Sequence, residues 1–160
     1  MAEGTVPAGA VAVSIEPLPP DPVLDAGAGA LLADCTPERT AAAGRTLLAA
    51  LRADPETALY GLVFEETVLL VYALRRVPMS LEISHVAVAP PLRKQGLGRA
   101  CLHDALARAG AKPLVAETDD AGLPFLKACG FKLFGKRRAP DGSVRYRLGA
   151  HAPRRVEPAG

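Results

Sequence analysis

Apolar positions change period repeatedly along this chain, and the changes divide it into elements. Ala58 to Phe64 and Val68 to Leu74 are short apolar blocks separated by Glu65-Glu66-Thr67. That spacing predicts two strands in an antiparallel hairpin. Arg76-Val77-Pro78 turns the chain into Leu81 to Val88, a third strand rich in β-branched residues, which Pro90 and Pro91 stop. Ala100, Cys101, Leu102, Ala105, Leu106 and Ala109 then recur at helical spacing. Lys112-Pro113 ends that helix and Leu114 to Thr118 follows as a strand. A crossover helix between two strands makes them parallel, so Leu114–Thr118 is expected beside Leu81–Val88 in that sense. Asp119-Asp120 is expected to cap a helix from Ala121 to Cys129, with Gly130 at the position that favours a left-handed conformation. Phe131 to Lys136, the turn Pro140-Asp141-Gly142-Ser143 and Val144 to Leu148 predict a closing hairpin.

The pattern is weaker before Ala58. Ala10 to Glu16 alternates as a short first strand, and Leu18 to Pro22 breaks it. Val23 to Ala33 has helical composition interrupted by Gly27 and Gly29, each costing about 1 kcal/mol in a helix interior. Thr36-Pro37-Glu38 offers a cap, a first-turn proline and an acid for the helix dipole, so a second helix is expected to start there. Leu47, Leu48 and Leu51 line one face of it and Asp54-Pro55 ends it. Residues 10–148 read as one domain of mixed α/β (α+β) class, between a small-residue tail at 1–9 and a basic tail at 149–160.

Composition narrows the field. The chain has 160 residues, 49% hydrophobic and 22% charged, as in an ordinary globular domain. A net charge of +2, only 4% aromatic residues and no Trp argue against nucleic acid as a partner. Cys35, Cys101 and Cys129 lack Cys-x-x-Cys spacing, which points to a reducing compartment and to no metal site. Cys101 and Cys129 read as small core residues. The start, MAEGTVPAGA, lacks the basic and apolar regions of a signal peptide, and no apolar run is long enough to span a bilayer. The expectation is a cytoplasmic protein with no membrane partner.

The chemistry concentrates in Arg93-Lys94-Gln95-Gly96-Leu97-Gly98-Arg99, between the strand and the helix. Glycines let main-chain N–H groups approach an anion, and a helix start adds a positive dipole end. With Arg93, Lys94 and Arg99, this predicts a pyrophosphate site. A dinucleotide fingerprint fits less well, because Cys101 stands where its third glycine belongs and Ala89 to Gln95 separate the strand from the glycines.

Arg93-x-x-Gly96-x-Gly98 after Val86-x-Val88 resembles motif A of the GNAT acyltransferase superfamily, and Phe125 to Phe131, ending in Gly130-Phe131, resembles its motif B. The resemblance covers about Ala10 to Leu148. It implies a mixed, mostly antiparallel sheet of six to seven strands flanked by helices, with a splayed parallel central pair. It implies acetyl-CoA as cosubstrate, an amine-bearing acceptor, and compatibility with a homodimer. The backbone of Val86, Ala87 and Val88 would hold the pantetheine arm. Arg93, Lys94, Gln95, Gly96, Leu97, Gly98 and Arg99 would take the diphosphate, and Asp120, Leu123 and Phe125 would flank the arm. Many members keep a Tyr general acid four residues before the motif B glycine; here Leu126 stands there, and Asp119 replaces the usual Asn.

Acyl transfer to an amine needs a base to remove a proton and fixed donors for the oxyanion. Glu82, eleven positions before Arg93, is placed like the catalytic glutamate of the histone-lysine branch. Strand parity puts it on the face of Val86 and Val88, where apolar surroundings would raise its pKa. The alternative is a solvated carboxylate at the strand's open end. His85, on the opposite parity, is the second candidate base or a hydrogen-bonded core residue. Tyr146 is the candidate substitute acid, or a packed strand tyrosine. The function expected is an N-acetyltransferase working by direct transfer; the alternative, kept open by Leu126, is an acyl-CoA-binding sensor without turnover.

Overall fold

The structure, a computed structural model, describes residues 14–151. Seven strands form one sheet in the order β1-β2-β3-β4-β5-β7-β6. The chain runs β1 (Glu16–Pro17), α1 (Pro22–Leu32), α2 (Ala41–Ala53), β2 (Thr57–Phe64), β3 (Thr67–Val77), β4 (Ser80–Val88), α3 (Leu97–Ala109), β5 (Leu114–Thr118), α4 (Leu123–Ala128), β6 (Lys132–Arg138) and β7 (Val144–Ala150). Among the described residues only β4 and β5 pair in parallel. No helix among the described residues is long and apolar enough to cross a membrane.

The meander follows the sequence pattern with tighter turns. Thr67 pairs with Phe64, so Glu65 and Glu66 alone make the loop, at φ of 50° and 65°. A two-residue loop with both residues left-handed matches the right-handed twist of a hairpin. β3 runs on past Leu74 to Val77. On β4, Ile83 faces Leu74 while His85 faces Ala73, so Ser84 is an extra, bulged residue.

Two apolar layers hold the sheet between helices. On one face α3 and α4 pack through Cys101, Leu102 and Leu126 against Leu70, Tyr72, Leu114 and Leu148. On the other, α1 and α2 bring Ala28, Leu32, Leu48 and Leu51 against Val71, Ala73 and Ala87. Cys101 is fully buried, as expected of a core residue, and burial pushes its thiol up to about 12.

The first helices differ from expectation at their ends. Asp21 caps α1 by accepting from the N–H groups of Val23 and Leu24 at 2.9 and 3.1 Å. α2 begins not at Thr36-Pro37-Glu38 but at Ala41, where Thr40 accepts from Ala43 N–H at 3.1 Å. The Thr36 hydroxyl instead donates to Ala33 O at 2.7 Å and accepts from Arg39 N–H at 3.0 Å, closing the bend after a 3-10 turn at Ala33–Cys35. Glycine inside both helices has a packing reason: a Cβ on Gly44 would stand 2.0 Å from Gly29 O. The backbones cross in contact there, which offsets the propensity cost of those glycines.

α4 begins at Leu123, two residues later than the sequence suggests. Asp119 accepts from Gly122 N–H at 3.0 Å and so shapes the approach without capping the helix proper. The end is as expected. Gly130 sits at φ 93°, its N–H donates to Lys127 O and that of Phe131 to Leu126 O, both at 3.0 Å. Gly149 and Ala150 belong to β7 rather than to a tail. The 10–13 portion of the expected first strand, the tail at 1–9 and residues 152–160 lie outside the described residues.

Candidate active site

β4 and β5 stay together only over Leu81–Leu114, Glu82–Val115 and Ile83–Ala116. Beyond those pairs they part. A cavity of about 270 Å³ opens in the split, lined by Ser84, His85 and Val86 on one side and Glu117 and Thr118 on the other. A second, of about 280 Å³, sits at the glycine turn among Lys94, Gly96, Leu97 and Arg99. Gly98 and Phe125 line both, so the two cavities adjoin end to end where that ring packs over the glycine.

The strand edge along this slot is defined by alternation. Ala89 N–H donates to Leu69 O at 2.9 Å, toward β3, which directs the polar groups of Val86 and Val88 the other way, to the unpaired edge. Val88 O accepts from Arg93 Nε at 3.0 Å and Val86 O from the Cys35 thiol at 3.5 Å. Ala87 points its side chain into the α1–α2 core and pairs with Val71. Burial pushes the Cys35 thiol up, so it sits there as a neutral donor.

Gly96 is the N-cap of α3 at φ 83°, with nothing within 4 Å of where a Cβ would lie. No side chain caps this helix start. The first-turn N–H groups have no intrahelical acceptor and open into the second cavity with the positive end of the dipole. Lys94 and Arg99 are exposed around it, whereas the exposed Gln95 turns its side-chain amide back to donate to Pro91 O at 3.2 Å. Arg93 also lines this cavity but is tied down. Besides Val88 O, its guanidinium reaches the Asp34 carboxylate, so it fastens the turn to β4 and to the 3-10 turn after α1. Of the expected flank, Phe125 borders both cavities, while Leu123 packs on the core and Asp120 accepts from the Tyr146 hydroxyl at 2.6 Å.

The bulge changes the reading of Glu82 and His85. Glu82 faces Arg75 and His85 faces Ala73, and those two β3 residues share a face. Glu82 and His85 therefore lie together on the α1–α2 side, whereas Val86 and Val88 pack on the α3 side. Simple parity fails because Ser84 adds one residue between them. Burial lowers the His85 pKa and the Glu82 charge opposes this, leaving it below its ordinary value of 6.5. Its Nδ1 lies 2.9 Å from Ser84 Oγ.

Tyr146 stands across from Thr118 on β7. Its hydrogen bond to Asp120 raises its pKa, which keeps the phenol protonated. Glu117 carries no motif, yet it lines the split. Arg137 grips it through Nε at 3.0 Å and a second nitrogen at 2.8 Å, with Arg145 3.6 Å away. The Arg137 hydrogen bond is the main cause that holds the Glu117 carboxyl below the usual range. The cluster escapes a linear reading because β7 inserts between β5 and β6. The Cys35 contact was equally hidden, since it joins residues 51 apart.

Comparison with known proteins agrees with this geometry. The family model described as "Acetyltransferase (GNAT) family" matches residues 29–131. Among solved structures, the aminoglycoside 6'-N-acetyltransferase from Enterococcus faecium superposes with a TM-score of 0.72 at 15% identity, covering 89% of this chain and 99% of that one. The ribosomal-protein-S18-alanine N-acetyltransferase from Escherichia coli gives 0.66 at 19%, covering 86% and 92%. A GNAT family acetyltransferase from Elizabethkingia anophelis with acetyl-CoA bound gives 0.64 at 22%, covering 88% and 98%. No curated protein matches the chain in sequence. With the family match spanning the strand, the glycine turn and the helix after it, the chain belongs to the GNAT acetyltransferase family.

Proposed function

We propose that this protein transfers an acetyl group from acetyl-CoA to a primary amine by direct attack, in the cytoplasm. The observation that carries the reading is the slot itself: a parallel pair that parts after Ile83 and Ala116 and runs into an uncapped helix start at Gly96. A long thin ligand with a doubly charged linkage fits that shape. The first-turn N–H groups with Lys94 and Arg99 suit the diphosphate, and the open edge at Val86 and Val88 suits an extended amide arm. The coenzyme A and acetyl-CoA complexes among similar structures support the same ligand.

In this reading the slot admits the thioester from the α3–α4 side, and the acceptor approaches from the α1–α2 side. Glu82, with His85 next to it on that face, takes a proton from the acceptor ammonium. The neutral nitrogen attacks the carbonyl to form the C–N bond, main-chain N–H groups at the β4 edge stabilise the oxyanion, and its collapse breaks the C–S bond, expels the thiolate and releases the nitrogen's second proton to solvent. The thiolate takes its proton from Tyr146, once that hydroxyl leaves Asp120, or from water. Leu126 supplies no acid and is buried in the core. Thiol release from acetyl-CoA across a panel of primary amines tests this. Amine-dependent CoA release supports transfer, whereas tight acetyl-CoA binding without release for any amine would leave a sensor.

A further inference from the structure

The sheet face that carries Glu82 is covered unevenly. α1 and α2 pack over β2, β3 and β4, and among the described residues no helix covers that face over β5, β7 and β6. The register tells which side chains stand on the bare part and at its border with the α1–α2 layer. Glu82 is level with Val115, two residues before Glu117 on β5. Glu117 is directly across from Arg147 on β7, and Arg145 is directly across from Arg137 on β6. The floor therefore holds Glu82, Glu117, Arg137, Arg145 and Arg147, with Lys132 at its far edge across from Gly149: two carboxylates, three guanidiniums and one ammonium.

Their engagements differ. Arg137 and Arg145 are both taken up by Glu117. Arg147 is exposed, makes no ion pair among the described residues, and lies with its guanidinium 5.6 Å from the Phe134 ring centroid. A guanidinium steadied on an aromatic ring and lacking a carboxylate is a ready anion receptor. From the Glu82 backbone to that of Arg147 is two strand spacings across and two residues along, roughly 12 Å. The long side chains at both ends narrow that gap to the length of a small molecule.

We propose that the acceptor is an amine that also carries an anionic group, a carboxylate or a phosphate, with the amine at Glu82 and the anion at Arg147. This rests on the transferase reading above and specifies its acceptor. A polycationic acceptor of the aminoglycoside kind would meet the arginine row with like charge, at a cost in binding.

The experiment compares matched acceptors by CoA release: amino acids against their decarboxylated amines, phosphoethanolamine against ethanolamine, and an aminoglycoside. The inference predicts kcat/KM at least about tenfold higher for the anionic member of a pair, about the effect of one charge-assisted hydrogen bond. The pair that shows it tells carboxylate from phosphate. Arg147→Gln should raise KM for the anionic acceptor about tenfold with little change in kcat, and Arg147→Lys should recover part of it. Equal or better use of uncharged amines or the aminoglycoside, or no KM effect of Arg147→Gln, overturns the inference and leaves the transferase reading standing. Acetyl-CoA binding without CoA release for any acceptor overturns both.

Discussion

Gly96 shows at the scale of one residue what the proposed anion site needs. Its φ of 83° is costly for a β-branched residue, and its missing Cβ leaves the helix start bare. Gly96→Val should destabilise the fold by roughly 1–2 kcal/mol and weaken CoA binding at least about tenfold, read by calorimetry on the folded variant. Under the proposed function Glu82 takes the proton from the acceptor ammonium. Glu82→Gln should lower kcat/KM about a hundredfold or more, while KM for acetyl-CoA stays near its original value. His85 gives a stability signature. Its folded pKa lies below 6.5, so the unfolded chain takes up the proton first. Stability is intact above about pH 6.5 and falls as the pH drops below it. His85→Gln should flatten that part of a pH-dependent melting series.

At the scale of elements, the α1–α2 crossing and the β4 bulge shape the sheet face that carries Glu82 and His85. Gly44→Ala puts a Cβ 2.0 Å from Gly29 O, which only separation of the two helices relieves. A loss of about 1–3 kcal/mol in thermal unfolding is expected, as for other overpacked contacts. The meander, the crossover helix and the parallel pair are legible in the sequence because each rests on local period and on proline and glycine stops. The glycine turn is legible for the same reason. The Ser84 bulge is not, since nothing in Leu81–Val88 distinguishes one more residue of pleat from a skipped one. Its consequence is large, because it moves Glu82 from the face of Val86 to that of His85. The start of α2 is not legible, because Thr36 and Thr40 are both capping residues and the helix starts after the second. The Glu117 cluster depends on strand order, which spacing along the chain does not encode.

For the molecule as a whole, one sheet divides the work between its faces. The α3–α4 face presents Gly98, Leu102 and Phe125 to the slot, and the opposite face presents Glu82, His85 and Glu117 where the α1–α2 layer ends. A parted strand pair lets the two sides meet through the sheet, which a fully zipped sheet would forbid. That opening is the central claim, and amide hydrogen exchange with and without CoA tests it most directly. CoA should slow exchange at Val86, Val88 and the turn from Lys94 to Arg99, and leave β2 and β6 unchanged. CoA binding with no change at Val86 and Val88, or edge amides already protected in the free protein, would contradict it.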